Sequence, residues 1–176
     1  MSGGTDDIMN IAWSKRNQDL RFATQSSKTV KFWHPADVTK RLVIPGKFEK
    51  APMVKLAAID FDDEGWCYTG GAGGHVYVWS DACLVVKQIK VSTENITAVA
   101  CAGGKLLVGS KDKKVAIITT AGGNFTLDKF VNLGESFPKA LDFCNGNLIA
   151  GMRNGTIFEF KNVLEGAEDQ APTTLL

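Results

Sequence analysis

The sequence predicts an all-β chain, a partial β-propeller of four blades with the last one incomplete. Two observations carry that expectation. The first is the stretch Trp66-Cys67-Tyr68-Thr69-Gly70-Gly71-Ala72-Gly73-Gly74-His75-Val76-Tyr77-Val78-Trp79-Ser80. Its β-branched and aromatic runs flank glycines that reach positive φ without a Cβ penalty, so it reads as two antiparallel strands around a tight turn. The second is recurrence. Residues 24–33, 70–79, 109–118 and 151–160 align without a gap, and their last residues, Trp33, Trp79, Ile118 and Phe160, stand 46, 39 and 42 positions apart. That is the period of a four-stranded propeller blade, about 40–45 residues.

Each hairpin is preceded by a candidate innermost strand, at residues 8–13, 54–61, 96–101 and 139–144. Turns follow at 15–19, 62–65, 102–104 and at Asn145-Gly146, a pair in which both residues tolerate positive φ. Outer strands are expected at 41–44, 84–91 and 125–133. None is expected after the fourth hairpin, where residues 162–176, with Glu165, Glu168, Asp169 and Pro172, read as a loose tail. The predicted blades are therefore residues 8–44, 54–91, 96–133 and an incomplete 138–161, followed by the tail. Val30 and Phe32, Val76 and Val78, and Val115 and Ile117 share one strand face, while Trp33 and Trp79 point to the other. Two apolar faces suit a strand held between neighbouring blades. Glu159 breaks the pattern, so its carboxylate should be paired or exposed and its blade's neighbour absent or unusual.

At 176 residues the chain is one domain, or part of one, and a hydrophobic fraction of 44% suits a soluble globular protein. A net charge of +1 offers no overall field for gathering nucleic acid or an anionic membrane. The polar start, Met1 to Asp7, lacks the order of a signal peptide, and no apolar run approaches a membrane span. An intracellular chain is expected, with Cys67, Cys83, Cys101 and Cys144 reduced and structural, Cys101 and Cys144 as small core residues. His34 and His75 have no partner at ligand spacing, so no metal is expected. Gly70 to Gly74 lead into a strand rather than a helix, against a phosphate cradle or other cofactor site. No nucleophile has an identifiable base, and Asp62-Asp63-Glu64 reads as a solvated acidic turn. No catalytic residue is assigned.

The charged residues that stand out are basic. In a propeller the turns between second and third strands open onto the same face as the connections between blades. Those turns hold Lys28, Lys111, Lys113 and Arg153, and the connection before the second blade holds Lys47, Phe48 and Lys50. Together they describe a basic rim with an aromatic in it, suited to an acidic protein partner. The alternative is that lysines occupy turns because turns are wet.

With the repeat in place, the chain resembles WD-repeat propeller sequence in degenerate form. The third-strand tryptophan survives at Trp33 and Trp79, but His34 and Ser80 replace the following aspartate. The turn aspartate is present at Asp112, with Ser27, Gly73 and Asn154 in the other repeats. The resemblance thus implies loss of the family's aspartate–histidine–serine–tryptophan hydrogen-bond network. More narrowly, residues 22–79, with Lys28-Thr29-Val30-Lys31-Phe32-Trp33, Gly46-Lys47-Phe48-Glu49-Lys50 and Tyr77-Val78-Trp79, are similar to the first propeller of the echinoderm microtubule-associated protein-like (EMAP-like) family. That likeness implies a cytoplasmic, cytoskeletal scaffold contacting tubulin or microtubules, without catalysis. The family's hydrophobic motif and its coiled-coil, basic amino-terminal region are not in this sequence. Two rivals stand beside this reading. A WD-repeat adaptor would serve another protein complex; a propeller hydrolase would need convergent acids at the channel, where the inner strands offer Asp60 and Asp142. Four blades are too few for the usual seven-bladed ring, so open ends are expected to invite self-association.

Overall fold

In the computed structural model, which describes residues 7–16, 20–34, 42–121, 123–164 and 171–176, the strands form four separate antiparallel sheets. Each sheet is a meander of four consecutive strands. The first holds β1 (Asn10–Trp13), β2 (Phe22–Gln25), β3 (Val30–His34) and β4 (Leu42–Pro45). The second holds β5 (Leu56–Phe61), β6 (Cys67–Gly71), β7 (His75–Trp79) and β8 (Val85–Lys90). The third holds β9 (Ile96–Ala102), β10 (Lys105–Ser110), β11 (Lys114–Ala121) and β12 (Asn124–Asn132). The fourth holds β13 (Pro138–Cys144), β14 (Asn147–Met152), β15 (Ile157–Phe160) and β16 (Thr173–Thr174). The sheets form an arc of four blades that is not closed into a ring. Residues 17–19 of the first expected turn, Arg41 of the first outer strand, and Glu165 to Gln170 of the tail lie outside the described residues.

The period-two pattern explains how the blades stack. Successive side chains leave a strand on opposite faces, so each internal blade has one apolar face for each neighbour. Phe32 and Val30 of blade 1 pack with Phe61, Tyr77 and Trp79 of blade 2. Tyr68, Val76 and Val78, on the other face of blade 2, pack with Val99, Leu106 and Ile118 of blade 3. Leu107, Val115 and Ile117 then meet Leu148, Ala150 and Phe160 of blade 4. Full burial of one such side chain contributes about 1.5–3 kcal/mol, so the three interfaces hold the arc together.

Four expectations about strands and turns change. The fourth blade has an outer strand: Phe158 pairs with Thr174 and Glu159 with Thr173, and Ile157 exchanges backbone hydrogen bonds with the Leu175–Leu176 stretch. Two threonines carry too little apolar signal to mark a strand, and main-chain bonding alone makes it one. The tail is also anchored at its start. Val163 is buried in the third core and donates its N–H to the Gly146 carbonyl at 2.8 Å. Next, the four hairpins are not equal in length. Gly70 pairs with Val76, Gly109 with Val115 and Gly151 with Ile157, but Val30 pairs with Gln25, so the first turn is one residue shorter. Finally, Asp62 is buried rather than solvated. It accepts the Tyr68 hydroxyl at 2.7 Å and the N–H groups of Glu64 and Trp66, which builds the turn. Burial, with the Asp62 carboxylate beside it, raises the Tyr68 pKa far above that of a free phenol.

The cysteines divide three to one. Cys67, Cys83 and Cys101 are buried and free, whereas Cys144, expected in the core, is exposed at the end of β13. Burial is the first cause that raises the three buried thiols above their ordinary pKa. Since the thiolate is the reactive species, a thiol reagent at neutral pH is expected to titrate one cysteine in the native chain and all four in denaturant. Rapid labelling of more than one native thiol would contradict the packing of these cores.

Candidate protein-interaction face

Three of the four hairpin turns, those of blades 1, 3 and 4, are built by local side-chain chemistry. In blade 3, Asp112 Oδ1 accepts the Lys114 N–H at 3.1 Å and Lys113 adopts φ of 68°. In blade 4, Asn154 Oδ1 accepts the Thr156 N–H at 3.3 Å and Gly155 takes φ of 90°. Asp and Asn side chains bonded to the backbone two residues on create such turns. In blade 1, Ser26 Oγ accepts the Thr29 N–H at 3.2 Å instead.

Backbone bonds then tie the turns of blades 2, 3 and 4 to the residue before their own inner strand. Lys111 N–H reaches the Asn95 carbonyl at 2.9 Å, Arg153 N–H the Phe137 carbonyl at 3.0 Å, and Ala72 N–H the Lys55 carbonyl at 2.8 Å. This geometry brings Lys55, Lys111, Lys139 and Arg153 around one hollow of about 420 Å³, floored in part by Leu56 and Ile96. Among the described residues, no carboxylate lines it. Phe137 stands on the rim with the Arg153 guanidinium 5.4 Å from its ring centroid, a cation–π arrangement.

Of the residues singled out in the sequence, Lys111 and Arg153 meet in this hollow. Lys28, Lys47, Lys50 and Lys113 are exposed but do not line it. Phe48 departs from the expectation of a rim aromatic. It is 8% exposed and sits edge-on to Tyr77 and Trp79, with ring centroids 5.4 and 5.0 Å away. The connection turns this ring inward because the space between blades 1 and 2 is apolar. Lys55 and Lys139 were missed by reading the turns alone. Lys55 immediately precedes β5, and Lys139 is at a register shift in β13 between Pro138 and Ala140. Extending the same-face rule from the turns to the starts of inner strands would have found both.

Asp60 and Asp81 have structural duties. Asp60 Oδ2 accepts from Lys15 Nζ at 2.7 Å and from the Cys101 N–H at 2.8 Å, joining blades 1, 2 and 3. Asp81 pairs with Arg16 at 3.0 Å and with the buried Arg21 at 2.8 Å. Burial pushes the Asp81 carboxyl upward, but the two guanidiniums outweigh it and hold the pKa below the ordinary value. His75 is lowered by burial and then by Lys90. Among the described residues, no group of three or more His, Cys, Asp or Glu side chains could hold a metal ion.

Parts of the hydrogen-bond network thought lost survive in separate blades. Trp33 Nε1 donates to Thr24 Oγ1 at 3.0 Å, and Trp79 Nε1 to Thr69 Oγ1 at 2.9 Å. These matching bonds also show that Thr24 is the counterpart of Thr69, in agreement with the shorter first turn. In blade 3, Asp112 accepts the hydroxyls of Ser92, at 2.7 Å, and of Ser110.

No protein-family model matches the chain. In sequence it is similar to the ciliary WD repeat-containing protein ctxp80 of Euplotoides octocarinatus, 32% identical over 158 residues; the match covers 89% of the chain but 21% of that protein. In fold it resembles the computationally designed Ika4 protein, with a TM-score of 0.71 at 20% identity over 92% of this chain and 94% of that one. It also resembles chains in the Mitotic Checkpoint Complex (TM-score 0.77) and in the structure of U3-55K (TM-score 0.76), both at 14% identity. Each of those matches covers 98% of this chain and about half of the other, 53% and 52%. The fold is of a class that is typically non-catalytic. Its four repeated four-stranded sheets give the chain an all-β, WD40-like propeller fold that is not closed into a ring, and in sequence it is similar to a ciliary WD repeat-containing protein of which it spans about one fifth.

Proposed function

We propose that the chain is a non-catalytic interaction module that docks an acidic segment of a protein partner on the hollow formed by Lys55, Lys111, Lys139 and Arg153. One observation carries this reading: four cationic side chains from three blades line one hollow that has no carboxylate in its lining among the described residues. Such a field steers and retains an anionic partner, and Phe137 adds apolar surface beside the charge. A WD-repeat adaptor is the reading with the broader support. Tubulin or microtubules are the narrower candidate for the partner, supported by the EMAP-like resemblance of residues 22–79 and by a relative named as ciliary. That relative also supports a cytoplasmic location, with the cytoskeleton as the narrower choice.

The test compares the chain with a Lys111→Glu/Lys139→Glu/Arg153→Glu variant. Binding of a glutamate-rich peptide is followed by fluorescence anisotropy, and microtubule binding by co-pelleting. Charge reversal is expected to weaken peptide binding by at least about tenfold, and added salt to weaken the parent's binding as the charges are screened. Unchanged affinity in the variant defeats the basic-hollow reading. Peptide binding without co-pelleting removes the microtubule as partner and leaves an adaptor for another complex.

A further inference from the structure

The ends of the arc are unfinished in complementary ways. Inside the arc, two contacts join blade 2 to blade 3, and the first of them recurs between blades 3 and 4. The first is steric. Gly70 on β6 has no room for a Cβ, because Ile96 of blade 3 would lie 2.3 Å from it, and Gly109 on β10 is likewise closed by Pro138 of blade 4 at 2.5 Å. Gly151 is the matching residue of β14, yet an added Cβ there would meet only Ala140 of its own blade, at 3.7 Å. The slot that receives the next blade's inner strand is therefore present on blade 4 and open.

The second contact is a hydrogen bond. The inner strands of blades 2 and 4 share the pattern Ala58-Ile59-Asp60-Phe61 and Ala140-Leu141-Asp142-Phe143. Asp60 Oδ1 accepts the Phe61 N–H at 2.8 Å, and Asp142 Oδ1 accepts the Phe143 N–H at the same distance. Asp60 Oδ2 reaches into the next blade, to the Cys101 N–H at 2.8 Å. Asp142 is exposed, and its Oδ2 has no such next-blade donor among the described residues.

Blade 1 carries the reciprocal groups. Ile8 precedes Asn10 by two positions, as Ile96 precedes Ala98 and Pro138 precedes Ala140; the register of β1, β9 and β13 makes these counterparts. Ile8 is 65% exposed. Trp13 is the counterpart of Cys101 by the same count and is also exposed. Beside it runs an aromatic ladder: Trp13 lies 4.8 Å from Phe22, which stacks at 5.6 Å on Trp33. Ile11, 59% exposed, completes an apolar face of the kind that marks an interaction site. Charges complement too, with Asp142 and Glu159 on the free face of blade 4 and Lys31 on the free face of blade 1, as the strand registers place them.

We propose that the free face of blade 4 receives the free face of blade 1 of a second copy of this chain, so that two copies close a ring of eight blades. Ile8 fills the slot at Gly151, and the Trp13 N–H donates to Asp142 Oδ2. Each contact is heterologous, but two of them related by a twofold axis close the assembly. Size agrees: the arc matches about half of each of two solved chains of the same fold.

Sedimentation velocity of the 176-residue chain over a concentration series tests this. The expected result is reversible formation of a species of twice 19.0 kDa. Gly151→Phe fills the slot without touching blades 1 to 3, and Ile8→Glu puts a charge into the contact from the other side. Each is expected to weaken the dimer by at least about tenfold, with the circular dichroism spectrum unchanged. A strict monomer at every concentration overturns the proposal and leaves the blade 4 face to further strands of a longer polypeptide. A dimer indifferent to both substitutions, or open-ended polymers, overturns it as well. None of these outcomes bears on the basic hollow, whose test uses other residues.

Discussion

Trp79→Ala is expected to lower the free energy of unfolding by about 3–5 kcal/mol, the range for removing a large aromatic from a packed core. Trp79 is fully buried between blades 1 and 2, with Phe32 and Phe48 rings centred 5.8 and 5.0 Å away. The connection between the blades rests on it so closely that a Cβ at Gly46 would fall 2.7 Å from the indole. Removing the indole opens a cavity and also strips the buried Thr69 hydroxyl of its donor, which Trp79 Nε1 supplies at 2.9 Å. Domains of this size are stable by only about 5–15 kcal/mol, so the variant should unfold at a much lower urea midpoint. Trp79→Phe keeps most of the ring packing and loses the hydrogen bond, at an expected cost of about 1–2 kcal/mol. Equal losses for the two variants would mean that the hydrogen bond, rather than the packing, holds this interface.

Gly74→Ala is the second large effect, and its neighbour Gly73 is the control. Both residues have positive φ, 73° and 72°. At Gly74 an added Cβ would lie 1.9 Å from the Ser92 carbonyl oxygen and 2.7 Å from that of Glu94, both main-chain atoms that cannot rotate away. The Gly74 carbonyl also accepts the N–H groups of Val91 at 2.9 Å and Ser92 at 3.2 Å, which fastens the connection between blades 2 and 3 to the turn. Alanine must displace that connection and break both bonds, at a cost of about 3 kcal/mol or more. At Gly73 the nearest foreign atom is His75 Nδ1 at 3.5 Å. Gly73→Ala therefore pays only for left-handed backbone, about 1–2 kcal/mol. Urea unfolding of both variants checks the difference. Equal destabilisation would show that the strain of the turn, and not the clamp on the connection, makes glycine necessary.

These two positions also show how far the chain could be read without its structure. The glycine-rich hairpin was legible as a turn because positive φ is a local requirement, written in the residues that occupy it. Which of its glycines is indispensable was not, since Ser92 and Glu94 approach from eighteen and twenty residues away. Phe48 repeats the lesson for the interaction face. A connection rich in lysine suggested an exposed aromatic, and the apolar gap between two blades took the ring inward instead. Lys111 and Arg153 were found from their turns, because a turn between second and third strands always opens on one face. Lys55 and Lys139 joined them from the starts of inner strands, Lys55 through the main-chain bond from Ala72 and Lys139 from the register shift of β13.

The repeat period and the alternation of apolar residues were sufficient to specify four antiparallel sheets, because both follow from local geometry: side chains alternate along a strand, and a hairpin needs its turn residues next to one another. The ungapped alignment misplaced one residue of the first hairpin, and the short strand at Thr173–Thr174 escaped notice, because pairing there depends on hydrogen bonds between main chains. The neighbours of each blade were set at a longer range still. Close packing against Ile96 or Pro138 explains why Gly70 and Gly109 have no side chain, and Asp60 acquires its role when the inner strand of the next blade arrives. The open counterparts of those contacts at Gly151 and Asp142 emerge only by comparing one blade's surroundings with another's, since both residues depend on what packs beside them.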